Sequence, residues 1–446
     1  MLRLEVTMNV LPVIESAPVR AAGAEWGAPK RVAFRFCFVY FGLYCVAALL
    51  PGGLPIPKVD IPDPFTLWPF RQVVFWVAAH FFGASLPLVY TGSGSGDKTY
   101  DWVEVFCLLM VAGVSTAIWT FADRRRSQYA ALYKWFRLYI RFSLAMTILI
   151  YGFDKLVPLQ MPYPYLRSQL QPFSAFSPAG ILWNSIGASP AYETFAGAAE
   201  MAGGVLLMFP QTVTLGALVC LVDMIQVWML NMTYDVPVKQ YSFHLLLMSL
   251  FLLAPQMRRL LDFFVLNRTA APEVRPALFR SARANRIAAW VQIAFWIWVL
   301  ALYSYQSATS WNKYGGGRQK SPLYGIWDVT EMKVDGQVRP AALGEKQRWR
   351  RLIFDFPDQA TAENLDDSFE NFGASIDGAK GSVSLTRPSE KAWKAELKFA
   401  RAADKLTMIG TLAGLPLEMQ LEREDESKFL LKSRGFHWVQ EYPVIR

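Results

Sequence analysis

"LVDMIQVWMLNMTYDVPVKQYSFHLLLMSL", residues 221–250, decides the fold because it sets two apolar runs on either side of one polar segment. Followed outward, each run reaches about 20 residues, the length of helix that crosses a hydrocarbon core of about 30 Å. Four ionisable residues interrupt the pattern, namely Asp223, Asp235, Lys239 and His244. The stretch therefore predicts two membrane-spanning helices that carry ionisable side chains.

The whole chain has the composition of a membrane protein. Of its 446 residues, 53% are hydrophobic and 18% are charged, whereas soluble domains carry about 25% charged residues. An α-helical multi-pass membrane bundle with seven or eight spans is predicted. The candidate windows are about 33–51, 71–90, 102–121, 135–157, 191–209, 212–231, 241–261 and 287–306.

Charge and cysteine placement argue against two classes of partner. The net charge of +9 comes from clusters beside the spans, such as 123–137 and 280–286. Clusters of this kind set topology and touch anionic lipid headgroups, so we expect the lipid bilayer as partner and no nucleic acid. The four cysteines lie inside apolar runs and form no CxxC pair. No disulfide and no metal site is therefore predicted.

Topology follows from the basic loops, which mark the cytoplasmic side of a membrane. Loops 122–134 and 256–286 are both rich in Arg and Lys, and four windows separate them. The window 287–306 then carries the rest of the chain out of the cytoplasm, as in a bacterial inner-membrane protein. An inside N-terminus requires an odd number of spans, so 71–90 is expected to lie in the interface or to re-enter.

Four domains are predicted from these changes in composition. They are a flexible arm at 1–30, a transmembrane domain at 31–306, a flexible linker at 307–322 and an extracytoplasmic β-domain at 323–446.

Ionisable side chains gather in the outer half of four consecutive spans. A rise of about 1.5 Å per residue puts Glu200 and Asp223 near the midplane. A charge there costs about 2.5–3.5 kcal/mol on insertion scales, so such groups usually face a cavity or one another. The candidate catalytic residues are Lys155, Glu200, Asp223, Asp235, Lys239 and His244.

We predict one arrangement of these residues. Asp235 and Lys239 are four positions apart and would form the outer lip of a polar cavity. Glu200 and Asp223 would form its floor, and His244 would lie on its wall. Simpler roles stay open. Lys155 and Lys239 would then snorkel to the headgroups. Asp235 would shape a loop before Pro237, and His244 would be a structural histidine.

Two motifs carry a resemblance to a known family. "YGFDKLVP" (151–158) and "SPAYETFAGAAEMAGGVLLMF" (189–209) resemble the DoxX-like four-helix membrane unit, over about 135–265. More distantly, this region resembles the transmembrane part of vitamin-K-dependent carboxylase-like proteins, although no carboxylase signature is present beyond the helix pattern. The resemblance implies a membrane site for a lipid-soluble molecule such as a quinone, with Lys155 and Glu200 as site residues.

The last 120 or so residues have the pattern of short strands. "LYGIWDVTEMKVDGQVR" (323–339) alternates and turns at Asp335-Gly336, and a second hairpin dipeptide is Asp377-Gly378. Strands at such regular spacing predict an antiparallel barrel or sandwich, with "KFLLKSRGFHWV" (428–439) as a further strand. Gly325-Ile326-Trp327 resembles the G-x-W start of lipocalin-like barrels, where Trp closes one end, and an ordinary core Trp is the alternative.

Two functions remain open from sequence. One is a redox enzyme, or an enzyme subunit, that acts on a lipid-soluble, quinone-like molecule at the polar site. The other is a non-catalytic membrane scaffold whose outer β-domain binds a protein partner.

Overall fold

The computed structural model describes residues 25–49, 55–56, 62–270, 272, 277–342 and 348–445. Most of the predicted arm at 1–30 lies outside these residues. The described chain has a helical part that ends at Lys313 and a β-barrel that begins at Gly325.

Among the described residues, five helical segments are long and apolar enough to cross a membrane. They are α1 (Ala28–Tyr44, extended by a π-helical turn to Leu49), α3 (Thr99–Ala122), α4 (Ala130–Leu156), α8 (Val213–Thr233) and α11 (Ala282–Lys313). The prediction of a multi-pass helical protein is thus confirmed for five spans, and the full count of seven or eight is not.

Two further predicted spans are present as helices that are not among these five. Helix α7 (Pro190–Met208) packs on α4 and α8, and α9 (Lys239–Leu253) packs on α8. The predicted span 241–261 is not one helix, because Pro255 lies in a 3-10 turn (Ala254–Gln256) after α9. A short helix, α10 (Met257–Phe264), follows this turn.

The doubtful window 71–90 contains a short helix, α2 (Phe70–Phe82), which packs on α3. Its 13 residues reach only about 20 Å, less than the 30 Å or so of a hydrocarbon core. Residues 83–98 have no helix. This segment is therefore too short to cross a bilayer as a helix.

The region between α4 and α7 lies at the end of the bundle that carries Lys155. It contains α5 (Leu166–Leu170), a 3-10 turn (Phe173–Ala175) and α6 (Pro178–Gly187). We call residues 157–165 the α4–α5 loop.

The C-terminal domain is a closed antiparallel barrel of eight strands. In addition to a two-residue strand β2 (Gln337–Val338), the strands are β1 (Gly325–Val334), β3 (Trp349–Phe354), β4 (Gln359–Asn364), β5 (Phe369–Asp377), β6 (Ser382–Arg387), β7 (Glu390–Ala402), β8 (Lys405–Leu412) and β9 (Leu415–Arg423). Each long strand pairs with the next, and β1 pairs with β9 to close the barrel.

The predicted hairpins are confirmed. Asp335 and Gly336 both have positive φ and join β1 to β2, as a two-residue hairpin turn requires. The second hairpin, β5 to β6, is present, but its turn consists of residues 378–381, with positive φ at Gly381 and not at the predicted dipeptide Asp377-Gly378. The predicted strand 428–439 is wrong, because residues 426–433 form a 3-10 turn and a short helix, α12 (Leu430–Ser433).

Trp327 is fully buried in the barrel core. Its indole N–H donates to the Leu323 carbonyl at 2.9 Å, and the Arg401 guanidinium lies over its ring at 5.3 Å. The first strand is thus fixed by a buried, fully hydrogen-bonded Trp.

The barrel contacts the helical part through α5. Leu166 is buried against Ile326 and Ile353, and its backbone N–H donates to Asp355 Oδ2 at 2.9 Å. Arg318 pairs with the other oxygen of Asp355. Residues 315–317 pack closely around Trp311, so the predicted linker 307–322 is helical to Lys313 and packed beyond it.

Candidate functional site

Helices α4 and α7 approach one another closely because α7 has glycine at the crossing point. A Cβ at Gly197 would lie 2.7 Å from the carbonyl carbon of Lys155. Small residues at such crossings let two helix backbones come together. The close approach places the side chain of Lys155 beside that of Glu200, one turn further along α7.

Lys155 and Glu200 form a buried ion pair. The Lys155 ammonium donates to Glu200 Oε1, and the side chains are only 11% and 5% exposed. Both charges are therefore held away from bulk water. In this buried position, each charge is stabilised mainly by the other. Two of the predicted site residues, on different spans, thus lie side by side.

The ion pair lines a cavity of about 160 Å³ enclosed by α4, α6, α7, α8 and α9. Its wall is mostly apolar, with Leu182, Val227 and Leu245 among its residues. The ionisable residues on the wall, apart from tyrosines, are Lys155, Glu193, Glu200 and Asp223. Glu200 and Asp223, which we predicted as the floor of a polar cavity, thus both line this one.

Three carboxylate oxygens on this wall have no hydrogen-bond partner among the described residues. They are Glu193 Oε2, Glu200 Oε2 and Asp223 Oδ2, and all three are buried. A buried acceptor without a partner is costly and uncommon in native proteins. Such atoms mark the place where a polar group of another molecule can bind.

Glu193 and the α4–α5 loop close one end of the cavity. The Met161 backbone N–H donates to Glu193 Oε1 at 2.8 Å, and the Trp183 indole N–H donates to the Gln160 carbonyl at 3.0 Å. Gln160 and Met161 both line the cavity. The loop is held in place by a cavity carboxylate at one end and by the barrel contact of Leu166 at the other.

Another side of the cavity reaches the outer surface of the bundle. Tyr192 and Phe195 of α7 line it while being 48% and 69% exposed, and exposed Gln226 lines it from α8. An apolar molecule has an entrance here between two helices.

The predicted lip is wrong in its residues. Lys239 Nζ lies 2.8 Å from Asp235 Oδ1 and 3.8 Å from Asp97 Oδ2, and the Asp235 side chain is 83% exposed. Neither residue lines the cavity, whose wall includes Val236 and Val238 instead. The Asp97 carboxylate also accepts the backbone N–H groups of Lys239 and Gln240, so this cluster fixes the start of α9.

His244 is also not on the cavity wall. Its Nδ1 lies 2.6 Å from the Gln240 carbonyl, which can only accept, so Nδ1 carries the proton. Nε2 lies 2.6 Å from the Tyr40 hydroxyl, and the ring stacks on Tyr44 with centroids 3.8 Å apart. His244 therefore joins α9 to α1 as a buried, fully hydrogen-bonded histidine.

Sequence reasoning missed Glu193, although a signal was present. Glu193 lies seven positions before Glu200, which is two helical turns and thus the same face of α7. Across the described residues, no group of three or more His, Cys, Asp or Glu has the geometry of a metal site.

Comparison with known proteins shows a similarity over part of the chain. Over 124 residues, 28% of this chain and 79% of the other, the chain is 30% identical to the uncharacterised protein YwoB of Bacillus subtilis (strain 168). No family model matches, and no solved structure matches.

Proposed function

We propose a function for this chain from the cavity that its helices enclose. The chain belongs to the same family as the uncharacterised Bacillus subtilis protein YwoB. In our proposal, the chain is an integral membrane protein of the DoxX-like type that binds the ring of a lipid-soluble, quinone-like molecule beside Lys155 and Glu200. It acts as a redox enzyme or as the ring-binding subunit of one.

The buried Lys155–Glu200 pair in a mostly apolar cavity is the observation that carries this proposal. Ligand sites combine apolar walls with a few converging polar groups, and ionisable groups inside a membrane bundle mark functional sites. The DoxX-like resemblance adds support, because the two residues that it carries over form this pair.

The size of the cavity favours a single ring. An apolar cavity of about 150 Å³ accommodates benzene, and this one measures about 160 Å³. A long isoprenoid tail does not fit inside it. The tail would leave past Tyr192 and Phe195, which are exposed at the surface of the bundle, and lie in the lipid.

The residues of the site suit proton transfer rather than electron transfer. Reduction of a quinone takes up two electrons and two protons, and oxidation of a quinol releases them. Lys155, Glu200 and Asp223 can hold or pass the protons. The electrons would pass to or from a partner protein that carries a redox cofactor.

We further propose a seven-span topology. It consists of the five long helices, α7 and the segment 239–264, in which α9, the 3-10 turn and α10 follow one another directly and together are long enough to cross a hydrocarbon core. Loop 122–134 faces the cytoplasm, and the barrel lies outside a bacterial inner membrane. Reporter fusions after Lys313 should then be active only as extracytoplasmic reporters, and fusions at Arg125 only as cytoplasmic ones, because the basic loops stay inside. Cytoplasmic activity after Lys313 would refute this orientation.

A second function, a scaffold that binds a protein partner outside the membrane, is favoured by a different observation. The segment after α12 presents large apolar side chains to solvent, among them Phe436 at 77% exposed, Trp438 at 91% and Tyr442 at 83%. Such exposed patches mark interaction sites. Pull-down with the full chain and with a chain truncated after Ser433 tests this alternative.

The ring-binding proposal is tested by what co-purifies with the protein. The full chain is purified in mild detergent, and bound small molecules are extracted and identified by mass spectrometry. We expect about one quinone-type molecule per chain in the wild type and a large loss of it in Glu200→Gln. A wild type that carries only phospholipid, after purification from a quinone-containing membrane, would refute the proposal.

A further inference from the structure

The cavity wall carries hydrogen-bond acceptors that have no partner in the described part of the chain. They are Glu193 Oε2, Glu200 Oε2 and Asp223 Oδ2. Two donors on the wall are used within the protein. The Trp183 indole N–H bonds to the Gln160 carbonyl, and the Asn231 amide N–H bonds to Ser242 Oγ at 3.0 Å.

Lys155 is a donor with N–H bonds to spare, and it fits the same proposal. Its ammonium carries three N–H bonds, and one of them goes to Glu200 Oε1. Another N–H can point at an oxygen of a bound ring. A hydroxyl group at that position would accept from Lys155 and donate to a free carboxylate oxygen at once.

The charge balance of the cavity points the same way. Three carboxyl groups and one ammonium line it, so carboxyl oxygens outnumber the cation that can satisfy them. A ligand that only accepts hydrogen bonds would leave these oxygens buried and unpaired. Each buried acceptor left without a partner weakens binding by about tenfold or more.

We propose that the molecule bound here brings at least two O–H donors on one small ring, as an aromatic diol of the quinol type does. The site therefore holds the reduced form of the couple in preference to the quinone, which has carbonyl acceptors alone. This inference rests on the proposed ring-binding function and names the form of the ring that is bound.

The experiment compares both forms on the full chain in lipid nanodiscs. A short-chain benzoquinone and its quinol are titrated separately without oxygen, and their dissociation constants are measured. We expect the quinol to bind at least tenfold more tightly. For a two-electron couple, that ratio raises the midpoint potential of the bound ring by about 30 mV for each factor of ten.

Asp223→Asn is the diagnostic variant, because it replaces a free acceptor by an amide of the same shape that can donate. The preference for the quinol should fall about tenfold. Glu193→Gln repeats the test if Asp223→Asn fails to fold. Asp262→Asn, the same change on α10 where Asp262 lies 4.0 Å from Arg258, should leave the preference unchanged.

The outcomes separate the two proposals. Equal affinities, tighter binding of the quinone, or a preference that neither cavity variant changes would overturn this inference and leave the ring-binding function standing. Binding of neither form would overturn both.

Discussion

Lys155→Met is expected to lower the free energy of unfolding by about 3–5 kcal/mol. The substitution removes the cation and leaves Glu200, whose side chain is only 5% exposed, as an unpaired buried carboxylate. Breaking a buried pair by removing one partner has a cost of this size because the remaining charge stays desolvated. Denaturant titration of the detergent-solubilised protein, followed by intrinsic fluorescence, measures the change.

The matched control is the double variant Lys155→Met with Glu200→Gln. It removes both charges, so most of the lost stability should return, and the two substitutions should be strongly non-additive. If the double variant is as unstable as the two single changes added together, the two side chains do not interact and the site is built differently.

Gly197→Ala is expected to reduce stability by about 3 kcal/mol or more, at the upper end of what overpacking costs. The added Cβ would meet the backbone of Leu156 and lie 2.7 Å from the carbonyl carbon of Lys155. Backbone cannot move aside as a flexible side chain can, so α4 and α7 must separate. Separation would also pull Lys155 away from Glu200. Thermal unfolding monitored by circular dichroism tests this expectation.

Gly113→Ala serves as its control within the same molecule. Gly113 lies in α3, and a Cβ there would meet nothing within 4 Å. The same substitution should therefore be neutral or stabilise the helix by up to about 1 kcal/mol. Equal effects at the two positions would show that α4 and α7 do not pack through Gly197.

The helical part and the barrel were predictable because their signals are local. In a chain of this composition, runs of about 20 apolar residues form membrane-spanning helices. Hairpin dipeptides such as Asp335-Gly336 need positive φ wherever they occur. Pro255 was a local signal that the window 241–261 would be divided, and the prediction of one span passed over it. No local pattern showed that residues 315–317 would pack around Trp311.

The depth of the site residues along their helices could be predicted from the sequence. The direction in which each side chain points around its helix could not. Rise per residue placed Glu200 and Asp223 at similar depth, and both line the cavity. It did not show which neighbour each face would meet. His244 faces Tyr40 and Tyr44 of α1, a helix more than 200 residues earlier in the chain.

The predicted lip pair forms in the wrong place. Lys239 is the first residue of α9, and its ammonium meets Asp235, four positions earlier, as the spacing predicted. The pair lies at the surface beside Asp97 and not over the cavity. Spacing along the chain predicted that the two side chains would meet, but it did not show that Asp97, far earlier in the chain, would hold this turn.

Photolabelling tests the central claim, that a lipid-soluble ring binds beside Lys155 and Glu200, most directly. The full chain in nanodiscs is irradiated with a short-chain benzoquinone or quinol that carries an azide, and the labelled peptides are mapped by mass spectrometry. We expect the label within 182–200 and 223–245, suppressed by excess unlabelled ring and much reduced in Glu200→Gln. Label confined to the barrel, or spread over lipid-facing residues and unaffected by competitor, would contradict the claim.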